Sequence, residues 1–129
     1  MTVSELETLE KPVIPHTQLV KYAGASGDFN PIHTVDPIAQ KAGLGGVIAH
    51  GMLIMGYAGQ SLARWFDRKK LKRFQVRFSA MTYPGEKIRI EGKIMEEIKK
   101  ENKTFLLGEL TAINEDGDTK LAGSFEVEK

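Results

Sequence analysis

The stretch that decides the fold is His50-Gly-Met-Leu-Ile-Met-Gly-Tyr-Ala-Gly-Gln-Ser-Leu-Ala-Arg-Trp-Phe66, followed closely by Arg73-Phe-Gln-Val-Arg-Phe-Ser-Ala80. In the first run Met52, Leu53, Ile54, Met55, Tyr57, Ala58, Leu62, Ala63 and Trp65 are apolar nearly all round a helix, which predicts a buried helix from about His50 to Phe66. In the second, Phe74, Val76, Phe78 and Ala80 alternate with polar residues, the period of a strand with one buried face. Gly51, Gly56 and Gly59 each weaken the helix by roughly 1 kcal/mol relative to alanine. Such glycines imply either close approach of a backbone or ligand, or tight packing of the helix on a sheet.

Downstream the period stays at two. Ile88, Ile90 and the region of Ile94 predict a second strand with Gly92 as a candidate bulge. Thr104 to Ile113 predicts a third strand, and Asp116-Gly117 a hairpin turn into a fourth from Lys120 to Val127. Four strands joined by short turns make an antiparallel sheet. A buried helix ahead of them suggests an α+β fold, a curved sheet wrapped around a central helix. Upstream, Thr17 to Ala25 predicts a helix with Leu19, Tyr22 and Ala23 on one face. Asp36-Pro37 starts a short second helix, with Asp36 as cap, that Gly43 can end in a left-handed conformation.

The 129 residues fit one domain, 1–129, and at 41% hydrophobic they can build a core. A core of this size gains from further burial in a dimer. The net charge is +1 with both signs mixed, unlike a nucleic-acid binder. Arg64, Arg68, Lys69, Lys72 and Arg73 form a basic group that reads as solvated helix-end charge or as an anion contact. No cysteine is present, so thiol chemistry and disulfides are excluded. The N-terminal Met1 to Glu10 lacks the pattern of a secretory leader. Val47 to Ala63 is too short and too broken by His50 and glycines to suit a bilayer. A cytoplasmic protein without membrane or nucleic-acid partners is expected.

The chemistry concentrates in Tyr22-Ala-Gly-Ala-Ser-Gly-Asp-Phe-Asn-Pro-Ile-His33. Gly27, Asn30 and Pro31 stop the helix, so Asp28 and His33 sit on a tight loop that Phe29 and Ile32 are expected to anchor. A carboxylate and an imidazole so placed can share one water, and histidine both takes and gives protons near neutrality. The plainer alternative is a turn-capping Asp28 beside an ordinary His33. His50 and His16 read as structural hydrogen-bonding groups. Without a spaced carboxylate set no metal site is expected, and no glycine loop implies a redox cofactor.

Gly27-Asp28-Phe29-Asn30-Pro31-Ile32-His33 closely resembles the hydratase signature of the MaoC-like, R-specific hydratase/dehydratase family. Ala49-His50-Gly51-Met52-Leu53 resembles a second family landmark, and Tyr83-Pro84-Gly85-Glu86 resembles its Pro-Gly-Asp-like turn more weakly. Ala25 stands where the family more often has glycine or a larger aliphatic residue. Within the family the chain is similar to the catalytic subunit of (3R)-hydroxyacyl-carrier-protein dehydratases. The resemblance implies a hotdog fold and interconversion of trans-2-enoyl and (3R)-3-hydroxyacyl thioesters of coenzyme A or acyl carrier protein. It also implies a homodimer, or a heterodimer with a paralogous subunit. Asp28 and His33 would be the catalytic pair. The Gly51 N–H, at a helix N-terminus, would receive the thioester carbonyl. The rival readings are a hotdog thioesterase and an acyl-binding subunit. Met52, Met55, Tyr57 and Trp65 can line an acyl tunnel, although core packing is their commoner fate.

Overall fold

The computed structural model describes residues 3–129; Met1 and Thr2, the start of the segment read above as lacking a leader, lie outside them. The elements are β1 (Ser4–Glu5), β2 (Leu9–Glu10), α1 (His16–Ser26), α2 (Asp36–Lys41), α3 (Gly51–Trp65), β3 (Leu71–Phe78), β4 (Arg89–Lys100), β5 (Lys103–Ile113) and β6 (Thr119–Glu128). They form one antiparallel sheet in the order β1-β4-β5-β6-β3, with β2 also on β4. Helix α3 packs across β4, β5 and β6. This is the hotdog arrangement.

Turn chemistry explains two of the joints. After α2, the Leu44 N–H bonds the Ala39 carbonyl and the Gly43 N–H bonds the Gln40 carbonyl, with Gly43 at φ 84°. That is a Schellman ending of the kind expected at Gly43. Between β5 and β6, the Asn114 Oδ1 accepts from the Asp116 and Asp118 N–H groups while Gly117 takes φ 85°. The β4–β5 turn is built without glycine: Glu101 and Asn102 both have positive φ, at 50° and 66°.

Several expectations are corrected. The strands do not follow one another across the sheet. β3 pairs with β6, and residues 79–88 cross to the far side to begin β4. The short pairings of β1 and β2 were not predicted; two residues carry too little period to read. Gly92 is no bulge, since β4 shifts register between Ile94 and Glu96. A Cβ there would instead run into the Trp65 ring, so Gly92 is the seat of that ring. Asp36 does not cap α2, whose N-cap is Val35. Its Oδ1 accepts the Val47 N–H at 3.0 Å and pins the following loop.

Helix α3 is buried on one side only. Leu53, Ile54, Tyr57, Ala58, Ser61 and Leu62 face the core, whereas Met52 is 58% exposed and Gly56 and Ala63 are also exposed. Gly56 and Gly59 have no atom within 4 Å of a built Cβ, so no neighbour among the described residues requires them. Tyr57 belongs to the core cluster, and Met55 and Trp65, partly buried, pack against it. On β3, Phe74 and Val76 are half-buried, but Phe78 and Ala80 are exposed, because the sheet ends there. Among the described residues no helix is long and apolar enough to cross a membrane.

Candidate active site

The site is assembled by a chain of side chains holding the next backbone amide. α1 ends where Gly27 turns left-handed at φ 77° and its N–H bonds the Ala23 carbonyl. The Ser26 Oγ then accepts from the Asp28 N–H, the Asp28 Oδ1 from the Asn30 N–H, and the Asn30 Oδ1 from the Ile32 N–H, each at 3.2 Å. Pro31 opens a 3-10 turn ending at His33. Three short polar side chains thus stiffen the loop locally. Phe29 plays no anchoring role: it is 69% exposed, and only Ile32 of the expected pair is partly buried.

His33 is buried and its Nδ1 lies 2.8 Å from the Ile48 carbonyl. A carbonyl can only accept, so Nδ1 carries the hydrogen and the neutral ring presents its lone pair at Nε2. That Nε2 lies 3.9 Å from the Asp28 Oδ2, whose carboxylate is half exposed. His50, also buried, stacks on His33 with centroids 3.8 Å apart and planes 21° apart. Its Nε2 donates to the Asp28 carbonyl at 3.1 Å, and the Tyr22 ring meets it edge-on. His50 therefore ties the start of α3 to the Asp28 loop. His16 donates to the Thr34 carbonyl at 3.0 Å, away from the pair.

Asp28, His33 and His50 bring ligand atoms within 4.8 Å of one another, a carboxylate and two imidazoles that sequence spacing did not reveal. A metal needs lone pairs converging on one point. The two rings are stacked nearly parallel, so a metal in the plane of His33 lies well out of the plane of His50. At most Asp28 and His33 could hold it, two ligands where catalytic zinc sites use three.

Gly51 is the first residue of α3. Its N–H donates to no group among the described residues, as helix geometry requires of a first-turn amide without a cap. Two clefts meet there. The inner one, of about 330 Å³, is lined by His33, Ala49, Ile54, Thr82 and Lys120. The outer, of about 470 Å³, is lined by Tyr22, Ser26, Asp28, His50 and Met52. Gly51 and Phe78 line both. The structure thus brings Asp28, His33 and Gly51 to one place.

Sequence reasoning missed Phe78 and Lys120. Lys120 is 5% exposed and its Nζ donates to the Met81 carbonyl at 2.7 Å and reaches the Glu86 Oε1 at 2.9 Å. Burial pushes the Glu86 carboxyl up, but hydrogen bonds from Lys120, Asn114 and the Tyr83 N–H, with the Lys120 charge, outweigh it and hold the group below its ordinary value. Farther off, burial raises the Tyr57 hydroxyl, against a hydrogen bond from Gln18. Lys120 is out of phase with the inward residues Leu121, Phe125 and Val127 and sits where β6 shifts register against β5, so the period of the strand gave no signal for it. The basic group after α3 stays at the surface, where Lys72 reaches Glu128 at 4.0 Å.

Comparison with known proteins places the fold and the family. The chain is 41% identical over 75 residues to a fatty acid synthase beta subunit of Emericella nidulans, covering 56% of this chain and 4% of that protein. It is 36% identical over 89 residues to a probable enoyl-CoA hydratase 2 of Dictyostelium discoideum, covering 66% of this chain and 30% of that one. The chain thus spans under a third of the length of these curated relatives. A solved structure described as a MaoC-like dehydratase superposes with a TM-score of 0.87 at 33% identity, over 98% of this chain and 40% of the other. Residues 2–115 match the MaoC like domain. By that match, the chain belongs to the MaoC-like domain family.

Proposed function

We propose that the chain is an R-specific hydratase/dehydratase, a hydro-lyase interconverting trans-2-enoyl and (3R)-3-hydroxyacyl thioesters in fatty-acid metabolism. The observation that carries this reading is the His33 Nε2 lone pair facing the Asp28 Oδ2 across 3.9 Å, beside an unpartnered Gly51 N–H. Both groups are acceptors, so what fits between them is a donor with two hydrogens. An oxygen about 2.8 Å from each would see them at roughly 90°, close to the spread of the two O–H bonds of water. A water so held turns its lone pairs outward, toward a substrate.

The reaction then balances without a cofactor. The water oxygen bonds to C3 as one of its protons passes to the His33 Nε2. The C2–C3 π pair moves into the thioester, whose oxygen gains charge and accepts from the Gly51 N–H. The imidazolium returns the proton to C2, and Asp28 holds the new hydroxyl. Dehydration runs the same path backward. Because water and proton leave from one side, addition is syn.

The test is loss of the conjugated absorbance of crotonyl-CoA, with chiral analysis of the product. Asp28→Asn and His33→Ala should each lower turnover by roughly 10²–10⁴-fold, the usual worth of a proton-transfer group, with unchanged circular dichroism. Thiol release without hydration would instead mark a thioesterase, and binding without turnover an acyl-binding subunit.

The same reading includes one catalytic domain, 1–129, working in the cytoplasm on coenzyme A or carrier-protein thioesters, with a second subunit. Among the described residues β3 ends the sheet with its outer edge unpaired, and α3 leaves Met52, Gly56 and Ala63 to solvent. An open strand edge beside a partly apolar helix face is the surface a second hotdog subunit would cover. Sedimentation of the purified chain tests this: a monomer at micromolar concentration removes the homodimer.

A further inference from the structure

Phe78 has no role in the mechanism above, yet it occupies the most telling position in the site. It is the last residue of β3, 47% exposed, and its ring lies 3.3 Å from where a Cβ on Gly51 would stand. A single exposed aromatic is ordinary, but this one shares the clefts with Met52 and Met81, both more than half exposed, so the apolar surface here is a patch. With Gly51 it is shared by the two clefts, of which the inner also takes in His33 and the outer Asp28, the two meeting at that pair. Gly51 having no side chain, the Phe78 ring is the one side chain among the described residues that lines both. The inner cleft is lined by Ile54 and Ala49, which are apolar, and by Thr82 and Lys120, which are polar.

The geometry points to Phe78 as the residue that sets acyl-chain length, a partition that stops the tail of a thioester held at Gly51 from running from one cleft into the other. This rests on the hydratase reading. A tail bound on one side of the ring buries its face and gains from that contact. A longer tail meets the ring edge and must fold back or stay in water. Each methylene brought out of water is worth about fourfold in kcat/KM, from ~0.8 kcal/mol per CH₂. Removing the six ring carbons should therefore favour long chains over short ones, up to the length that fills the joined space.

The experiment measures kcat/KM for enoyl-CoA substrates from four to twelve carbons with the parent chain and with Phe78→Ala, Phe78→Leu and Phe78→Trp. Thermal melting of each variant runs beside the kinetics. The expected result is a rise of about tenfold or more in the ten-carbon to four-carbon ratio for Phe78→Ala, a smaller rise for Phe78→Leu, and a fall for Phe78→Trp. A ratio that stays within about twofold of the parent in all folded variants overturns the proposal, even if every rate drops together. That uniform drop is what a purely structural ring would give. Failure of the parent chain to hydrate any length is a separate outcome: it removes the hydratase reading and this proposal with it.

Discussion

At the scale of single residues the proposed mechanism depends on one backbone amide that no side chain can replace. Gly51 stands at the first position of α3, where proline is also tolerated because that N–H has no helical partner. The preceding His50, at φ −60° and ψ 133°, already has the extended backbone that a following proline demands. Gly51→Pro should therefore keep the helix while deleting the donor. Gly51→Ala is the matched control, since it adds the same Cβ against the Phe78 ring and keeps the N–H. We expect Gly51→Pro to fall about 10²–10³-fold in kcat below Gly51→Ala, with like helical content by circular dichroism. Equal rates would remove the amide from the mechanism. His33 shows the same economy, because a single bond from Nδ1 to the Ile48 carbonyl decides which nitrogen is free for chemistry.

Among the elements, α3 and the strands it lies on meet through an exchange of bulk for absence. Trp65 at the end of α3 fits over Gly92 on β4 and donates its indole N–H to the Glu7 carbonyl at 2.7 Å. Gly92→Ala puts a methyl into that ring, and overpacking of this kind costs typically 1–3 kcal/mol. We expect a lower urea midpoint and a shifted emission from Trp65, the chain's single tryptophan; unchanged emission would mean that the ring does not sit there. These elements were legible from sequence where their cause is local. The period of α3, the alternation along β5 and β6, and the Asp116-Gly117 turn all lie within a few residues. The pairing of β3 with β6 was not legible, because strand partners are chosen by the whole sheet. Nor was the Glu101-Asn102 turn, which reaches positive φ without the glycine that usually announces it. Gly92 carried a signal that local rules misassigned, since a bulge and a seat for a distant ring look alike in sequence.

Across the whole molecule, the crossover from β3 to β4 forms one wall of the inner cleft and is held by a few polar contacts. The Glu86 backbone carbonyl accepts from the Ile14 N–H, while its carboxylate takes Lys120 from β6, Asn114 from the β5–β6 turn and the N–H of Tyr83. The loop carrying Asp28 and His33 could be read from sequence because its residues lie within one short segment. This clamp could not, because its parts come from distant segments that only the fold brings together. Its response to acid follows from the sign of the Glu86 shift. A carboxyl held below its ordinary value near 4.5 stabilises the fold at higher pH, and that contribution disappears as pH falls through the lowered folded value. Glu86→Gln should cost about 1–3 kcal/mol at pH 7. This is less than a fully buried pair would lose, since the Glu86 side chain stays 21% exposed, but it leaves the Lys120 ammonium buried without its counter-charge. Below the folded value the parent carboxyl is also neutral, so the two proteins should converge. Urea midpoints of parent and Glu86→Gln measured from pH 7 downward test this. A gap that stays constant into the acid range would mean that Glu86 contributes by packing rather than by charge. Crotonyl-CoA turnover by the variant at pH 7 supplies the functional half, with KM expected to rise more than kcat falls, because the loosened wall lines the cleft while Asp28, His33 and the Gly51 N–H remain in place.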